Sequence, residues 1–296
     1  MIIITGQTAT GKTKLAEDFV KKYNGELVNC DSRQIYKFLD IITGKDIPET
    51  KIHLYNIVKP DQYFSSFDYV KKAQNIIKDI KKRGKTPIII GGSYLYLKHL
   101  IYGFDAGAPP NFKLRNKLNI KTVEQLQRIL KKINLKVFQD LNHSDRYNPR
   151  RLIRKIEIET DKKSGPVSSF LPPVLASNNT PRLRAAGIPP LSTSDFLMIG
   201  LRYKNKAKLR QAIKIRVEKR LKQGAIEEVK SLLKRGYKKT DPGMKTIGYK
   251  QIIDYLEGNI AKDEAITRWI IAEVQYAKRQ LTFMKKDRNI KWRFIS

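Results

Sequence analysis

Ile2-Ile3-Ile4-Thr5-Gly6-Gln7-Thr8-Ala9-Thr10-Gly11-Lys12-Thr13 decides the fold. An apolar β-branched run enters a G-x-x-x-x-G-K-T loop, and Lys14-Leu15-Ala16-Glu17-Asp18-Phe19 continues as a helix former. This strand–loop–helix setting is what a phosphate-binding loop requires. Gly6 and Gly11 let the backbone of Gly6, Gln7, Thr8, Ala9, Thr10, Gly11, Lys12 and Thr13 turn its amides onto phosphate oxygens. The following helix adds its positive dipole end, Lys12 adds a point charge, and Thr13 offers a hydroxyl to Mg2+. A di- or triphosphate ligand follows. The loop alone does not say which molecule carries it.

Working outward, Glu26-Leu27-Val28-Asn29-Cys30 reads as a second strand ending at Asp31. Tyr69 to Lys82 reads as a helix, stopped at Arg83-Gly84-Lys85. Pro87-Ile88-Ile89-Ile90 is a buried strand leading to Gly91-Gly92-Ser93 and another helix start. Alternating strands and helices predict a parallel sheet with helices on both faces. In such sheets ligands sit beyond the carboxyl ends of the strands. Three strand ends are therefore expected to converge: the phosphate loop, Asp31-Ser32-Arg33-Gln34, and Gly91-Gly92-Ser93. The fold class is α/β, a P-loop NTPase-like parallel sheet core with a mainly helical insertion and a helical C-terminal part.

The 296 residues suggest two structural units or one core with an insertion. The expected division is a catalytic core of 1–110 with 196–296 and a basic helical insertion at 111–195. The helix near 148–160 is assignable to either. Pro109-Pro110 opens the insertion, Glu124 to Lys132 is helical, and 164–194 is a Pro/Ser-rich loop. Phe196 to Leu201 reads as a late strand, and from Asn205 the pattern is helical nearly to the end, broken near Gly236 and Asp241-Pro242-Gly243.

With 41% hydrophobic residues the chain can bury a core, and no apolar run is long enough to span a bilayer. The opening core strand predicts no signal or transit peptide. Cys30 is the only cysteine, which excludes intrachain disulfides and points to a reducing cytoplasm. His53, His99 and His143 have no zinc spacing. Sixty Lys and Arg against 28 Asp and Glu give +32, distributed as +6 over 1–110, +10 over 111–200 and +16 over 201–296. Such a field attracts polyanions, nucleic acid first among them, unless it serves solubility alone.

Asp31 could hold magnesium, cap a helix or take a proton. The Gly91-Gly92 strand end lacks the metal-holding aspartate of many nucleotide hydrolases, and Ser32, Arg33 and Gln34 suit substrate binding. On the residues alone Asp31 stands evenly between general base and structural cap. Arg216 lies in a basic helix and gains no special role from the residues alone. Arg150, Arg151 and Arg154 share one helical face. Lys278-Arg279-Gln280, with Tyr276, Phe283 and Trp292, interleaves bases and aromatics as single-stranded RNA binding requires. An amphipathic terminal helix packing its aromatics inward explains them equally well.

In order, the chain carries Gly-Gln-Thr-Ala-Thr-Gly-Lys-Thr (6–13), Asp-Ser-Arg-Gln-Ile-Tyr (31–36), Thr-Gly-Lys-Asp-Ile (43–47) and Gly-Gly-Ser-Tyr-Leu-Tyr (91–96). Arg-Arg-Leu-Ile-Arg-Lys-Ile-Glu (150–157), Ile-Gly-Leu (199–201) and Arg-Val-Glu-Lys-Arg-Leu (216–221) follow. Ile-Gly-Tyr-Lys (247–250) and Tyr-Ala-Lys-Arg-Gln-Leu-Thr (276–282) complete the set. Together these stretches resemble the bacterial-type tRNA dimethylallyltransferases, the tRNA isopentenyl transferases. The resemblance implies transfer of a dimethylallyl group from dimethylallyl diphosphate to the exocyclic N6 amine of the adenosine 3′ to the anticodon. Asp31 would be the base, with Thr13 and Arg216 on positions that handle the diphosphate. Asp31, Ser32, Arg33, Gln34, Ser93, Arg150, Arg151, Arg154, Lys245, Thr246, Ile247, Gly248, Tyr249, Lys250, Lys278 and Arg279 fall on positions that hold the tRNA anticodon stem-loop. A cytoplasmic monomer without membrane attachment is expected.

Three places depart from the family pattern. Ile52-His53 stands where two histidines are usual, Glu273-Val274 where Thr-Arg often precedes Tyr-Ala-Lys-Arg-Gln, and Phe283 where tryptophan is common. No carboxy-terminal zinc module is recognised, and 168–195 has no recognised counterpart. Three rival functions remain at this point: a small-molecule P-loop kinase, an isopentenyltransferase acting on free adenylate, and an RNA-binding protein with a relic loop. The kinase and the free-nucleotide enzyme leave the positive charge of residues 111–296 unexplained.

Overall fold

In the chain's computed structural model, residues 1–45, 50–103, 111–163 and 195–295 are described. They fall into two compact units, Met1–Gly103 with Ala185–Ser296, and Phe104–Arg184. The features expected at Asp46-Ile47, Pro109-Pro110 and residues 164–194 lie outside the described residues.

The first unit begins with β1 (Ile2–Gly6) and α1 (Lys12–Tyr23), then β2 (Gly25–Asn29), β3 (Ile52–His53), α2 (Ser66–Lys82), β4 (Thr86–Ile90) and α3 (Tyr94–Tyr102). The second unit holds α4 (Phe112–Asn119), α5 (Val123–Ile133), α6 (Leu135–Gln139), α7 (His143–Arg146) and α8 (Pro149–Lys163). The chain returns to the first unit with β5 (Leu197–Tyr203), α9 (Lys206–Lys222), α10 (Ala225–Lys234), α11 (Tyr249–Leu256), α12 (Lys262–Met284) and β6 (Ile290–Ile295).

The six strands form one sheet in the order β3-β2-β4-β1-β5-β6, with every pairing parallel. Both faces are covered, as near-continuous apolar strands demand. On one face Ile2, Ile4, Leu27, Ile88 and Ile90 pack with Ala16 of α1. The alternate residues Ile3, Val28 and Ile89 are buried too. Thr5 marks the helix on that side, because its hydroxyl touches Met284 Sδ of α12 at 3.7 Å. Cutting Ile4 to Ala would cost about 2–5 kcal/mol, since neighbours on both sides hold the cavity open.

Helix ends follow local chemistry. Ser65 caps α2 in a reciprocal box with Asp68, and Thr122 does the same for α5 with Gln125. The expected stop after Lys82 is present, with Arg83 as the last cap and Gly84 at φ 72°. Two strands are additional to the sequence reading. β3 is only two residues long, and β6 lies beyond the helical stretch, which ends with α12 at Met284. Trp292 therefore sits on an edge strand against Gly200, beneath the guanidinium of Arg202.

The second unit has its own core of Leu118, Leu126, Leu130, Phe138, Leu141, Leu152, Ile153 and Ile156. Within it the buried Glu157 accepts Arg115 Nε at 2.6 Å, Arg154 Nη1 at 3.0 Å and the Asn111 amide at 2.9 Å. Burial pushes the Glu157 carboxyl up, but these donors outweigh it and hold it below the usual carboxylate range.

Candidate active site

The carboxyl ends of β1, β2 and β4, adjacent in the sheet, open into a cleft of about 1660 Å³ within the first unit. Ten Lys and Arg against four Asp and Glu line it, so an anionic ligand is favoured.

The phosphate loop forms its floor. Gly6 turns at φ 137°, where any Cβ would collide with the Leu201 backbone of β5. Ala9 and Gly11 are both left-handed, at φ 62° and 72°. That alternation around Thr10 curls successive N–H groups into an anion-binding concavity. An alanine held there stores on the order of 1–3 kcal/mol of strain, a cost that marks functional loops. Side chains fix the loop from outside. Thr8 N–H donates to Gln280 Oε1 at 2.9 Å, and Tyr203 Oη donates to Ala9 O at 2.9 Å. Gln7 Nε2 donates to Ala277 O at 3.2 Å. Lys12 Nζ donates to Gln7 O at 2.6 Å, and Arg216 Nη1 donates to Thr8 Oγ1 at 2.7 Å. Thr13 stands at the amino end of α1, half-buried and lining the cleft.

Asp31 projects from the end of β2. Its own amide donates to Asn29 Oδ1 at 2.9 Å, and its Oδ1 accepts the Arg33 amide at 2.9 Å. The turn thus fixes one oxygen, and Oδ2 has no hydrogen-bond partner among the described residues. The carboxylate faces the cleft with Arg33 and Gln34. Tyr276 of α12 lines the same wall, its phenol pushed up first by burial and then by the Asp31 charge. Ser32 and Ser93 bind each other, at 3.0 Å between hydroxyls and 2.8 Å from the Ser32 amide to Ser93 Oγ, tying β2 to β4.

Residues 40–45 also line the cleft. Glu228 of α10 receives the amides of Asp40, Ile41 and Ile42 at 2.8, 2.6 and 3.1 Å, and the Tyr249 hydroxyl at 2.6 Å. Gln34 Nε2 donates to Thr43 O and Gly44 O at 3.3 and 2.9 Å.

Residues 34–287 match the IPP transferase family. The chain belongs to the IPP transferase family. Its relatives include the tRNA dimethylallyltransferase of Caldanaerobacter subterraneus subsp. tengcongensis, 36% identical with all of this chain and 91% of that protein covered. Among solved structures, the tRNA isopentenylpyrophosphate transferase of Bacillus halodurans is 31% identical and aligns with a TM-score of 0.69 over 99% of this chain and 89% of its own. A eukaryotic dimethylallyltransferase acting on tRNA, 24% identical, shares the fold at a TM-score of 0.71 over 96% of this chain and 69% of its own.

The family-pattern residues are distributed unevenly. Residues 8–13, Asp31, Arg33, Gln34, Arg216, Lys245, Thr246, Ile247 and Arg279 line the cleft. Gly248 and Tyr249 are buried, with the Tyr249 hydroxyl committed to Glu228. Lys250 and Lys278 are exposed on α11 and α12 and do not line the cleft. Arg150, Arg151 and Arg154 lie on α8 in the second unit, where Arg151 pairs with Asp145 and Arg154 with Glu157. Glu228, Arg220 and Glu273 gained no role from the sequence, and Gln280 gained one only within the Lys278-Arg279-Gln280 stretch. The readable signal was a polar residue at an apolar helix position. Gln280 and Glu273 share the buried stripe Ala265, Trp269, Glu273, Ala277, Gln280, Met284 of α12.

Proposed function

We propose that the protein transfers the dimethylallyl group of dimethylallyl diphosphate to N6 of the adenosine 3′ to the anticodon in tRNA, releasing pyrophosphate. The observation that carries the reading is the meeting of a phosphate loop and the Asp31 carboxylate in one basic cleft. Family membership supports it. A phosphate loop serving as a cradle for a departing pyrophosphate needs no γ-phosphate chemistry, and Asp31 then has a proton to accept.

Heterolysis of the allylic C–O bond leaves negative charge on pyrophosphate and positive charge on a delocalised carbon. The loop amides, Lys12 and Arg216 offset the first, each charge-assisted contact contributing about 1.5–3 kcal/mol. The amine lone pair forms the new C–N bond, and its proton passes to Asp31 as that bond forms. Ile41, Ile42 and Ile247 line the cleft beside these polar groups, and an apolar wall keeps water from the carbocation. The extruded adenosine comes from a loop, where unstacking costs a few kcal/mol.

The Thr13 hydroxyl would hold Mg2+. Among the described residues no group of three His, Cys, Asp or Glu side chains is arranged to bind a metal. That donor set suits an ion carried in on diphosphate oxygens. When bound, magnesium neutralises charge on the leaving group. We further propose a cytoplasmic monomer; no described helix is long and apolar enough to cross a membrane.

Purified protein, magnesium, dimethylallyl diphosphate and unmodified tRNA should yield isopentenyladenosine by nucleoside mass spectrometry. Asp31→Asn should abolish transfer and keep tRNA binding. Phosphorylation of a metabolite from ATP, without tRNA alkylation, would point to the kinase instead.

A further inference from the structure

Two helices of the first unit each carry a charge on a stripe that is otherwise mostly apolar. On α9 the buried positions are Leu209, Ile213, Val217 and Arg220. On α12 the facing residue is Glu273, one of the family-pattern departures. Arg220 is 4% exposed and Glu273 8%. Arg220 Nη1 donates to Glu273 Oε1 at 3.1 Å, and Trp269 Nε1 reaches the same oxygen at 3.4 Å. Arg220 Nε has no hydrogen-bond partner among the described residues. Burial, and then the neighbouring Arg216 charge, push the Arg220 guanidinium down to about 10.

Stability does not account for this pair. Desolvating two charges opposes their attraction, and buried pairs replaced by apolar residues of similar volume often leave a protein no less stable. Geometry suggests another role. Gly44, at φ 61°, leaves open the point on which both guanidiniums converge. A Cβ there would lie 2.5 Å from Arg216 Nη2 and against Arg220 Nη2. At its other end Arg216 is bonded to Thr8 of the phosphate loop. Arg216 is thereby confined between a loop hydroxyl in front and a fixed like charge beside it.

We propose that Arg220 is a positioning residue, anchored by Glu273, that confines the Arg216 guanidinium on the phosphate loop for a diphosphate. This role rests on the reading of the cleft as a diphosphate site. It explains why the departure at Glu273 comes with a buried arginine opposite. It also makes Gly44, in the matched Thr43-Gly44-Lys45 turn, the space both guanidiniums require.

The test is the double variant Arg220→Met/Glu273→Gln, which removes both charges and keeps an acceptor for Trp269. Its affinity for inorganic pyrophosphate, by titration calorimetry, should fall about tenfold, as for a misplaced charge-assisted contact. tRNA affinity should stay within about twofold. In an Arg216→Met background the same double change should alter pyrophosphate affinity less than about twofold, because its effect runs through Arg216. Wild-type pyrophosphate affinity in the double variant, or an undiminished loss without Arg216, would overturn the positioning role. Should the double variant fail to fold, Arg220→Lys keeps the charge without the planar fork and is read in the same two backgrounds. A wild type that binds pyrophosphate but alkylates no tRNA overturns the proposed reaction alone.

Discussion

Gln280 accepts the Thr8 amide at 2.9 Å through Oε1 and donates to Gly92 O at 3.0 Å through Nε2, so one side chain joins the phosphate loop to the end of β4. Gln280→Leu would leave the Thr8 amide buried and unpaired, a loss of about 1–3 kcal/mol, while Gly92 O keeps the Tyr94 amide at 3.1 Å. Gln280→Glu would keep the acceptor for Thr8 but set a carboxylate against Gly92 O and the anion site. The expected outcome is a lower melting temperature for both. Pyrophosphate affinity should fall furthest in the glutamate variant, measured by calorimetry.

Cys30, next to Asp31, is 1% exposed, and burial pushes its thiol up to about 12. Thiolate is the reactive form, so at pH 8 only about one molecule in ten thousand is reactive, against roughly a quarter for a free cysteine. Alkylation by iodoacetamide at pH 8 should be at least about 100-fold slower in native protein than in denatured protein. Equal rates would contradict the packing at the end of β2.

Glu26 is held well below the usual carboxylate range by Arg83 first, with Lys85 and His53 assisting against the opposing effect of burial. A depressed carboxylate contributes stability above its unfolded value, near 4.3, and loses it as pH falls towards the folded value. Glu157 in the second unit is shifted the same way. Thermal melting should therefore decline below about pH 4.5. Glu26→Gln should melt lower than wild type at pH 7, with the two curves converging towards pH 2.

Binding of tRNA should weaken steeply with salt, because each neutralised phosphate releases counterion. Arg33, exposed at the cleft mouth, should account for roughly one unit of slope in log K against log salt if it meets one phosphate. Filter binding of wild type and Arg33→Ala across a salt series measures this. Parallel lines of equal slope would remove Arg33 from the phosphate contacts.

The sheet centre was legible because its signals are local. Ile2–Ile4, Leu27–Val28 and Ile88–Ile90 are apolar runs, each followed by a turn, and parallel pairing brings their ends together whatever lies between. β6 was not legible. Lys291, Trp292, Arg293 and Phe294 give an edge strand no buried face, and only Ile290 is fully covered. From the residues alone Arg216 looked like one more surface cation, and only the family resemblance singled it out; tertiary packing brings it to Thr8, 208 positions away in sequence. Glu228 is similar, since three of its four donors are backbone amides that no side-chain pattern announces.

In the proposed reaction the loop at residues 6–13 releases pyrophosphate. The most direct measurement is the yield of pyrophosphate and isopentenyladenosine in one reaction containing magnesium, dimethylallyl diphosphate and unmodified tRNA, without ATP. Equal molar yields are expected, with neither product formed by Asp31→Asn. A requirement for ATP, or orthophosphate in place of pyrophosphate, would contradict the proposed reaction.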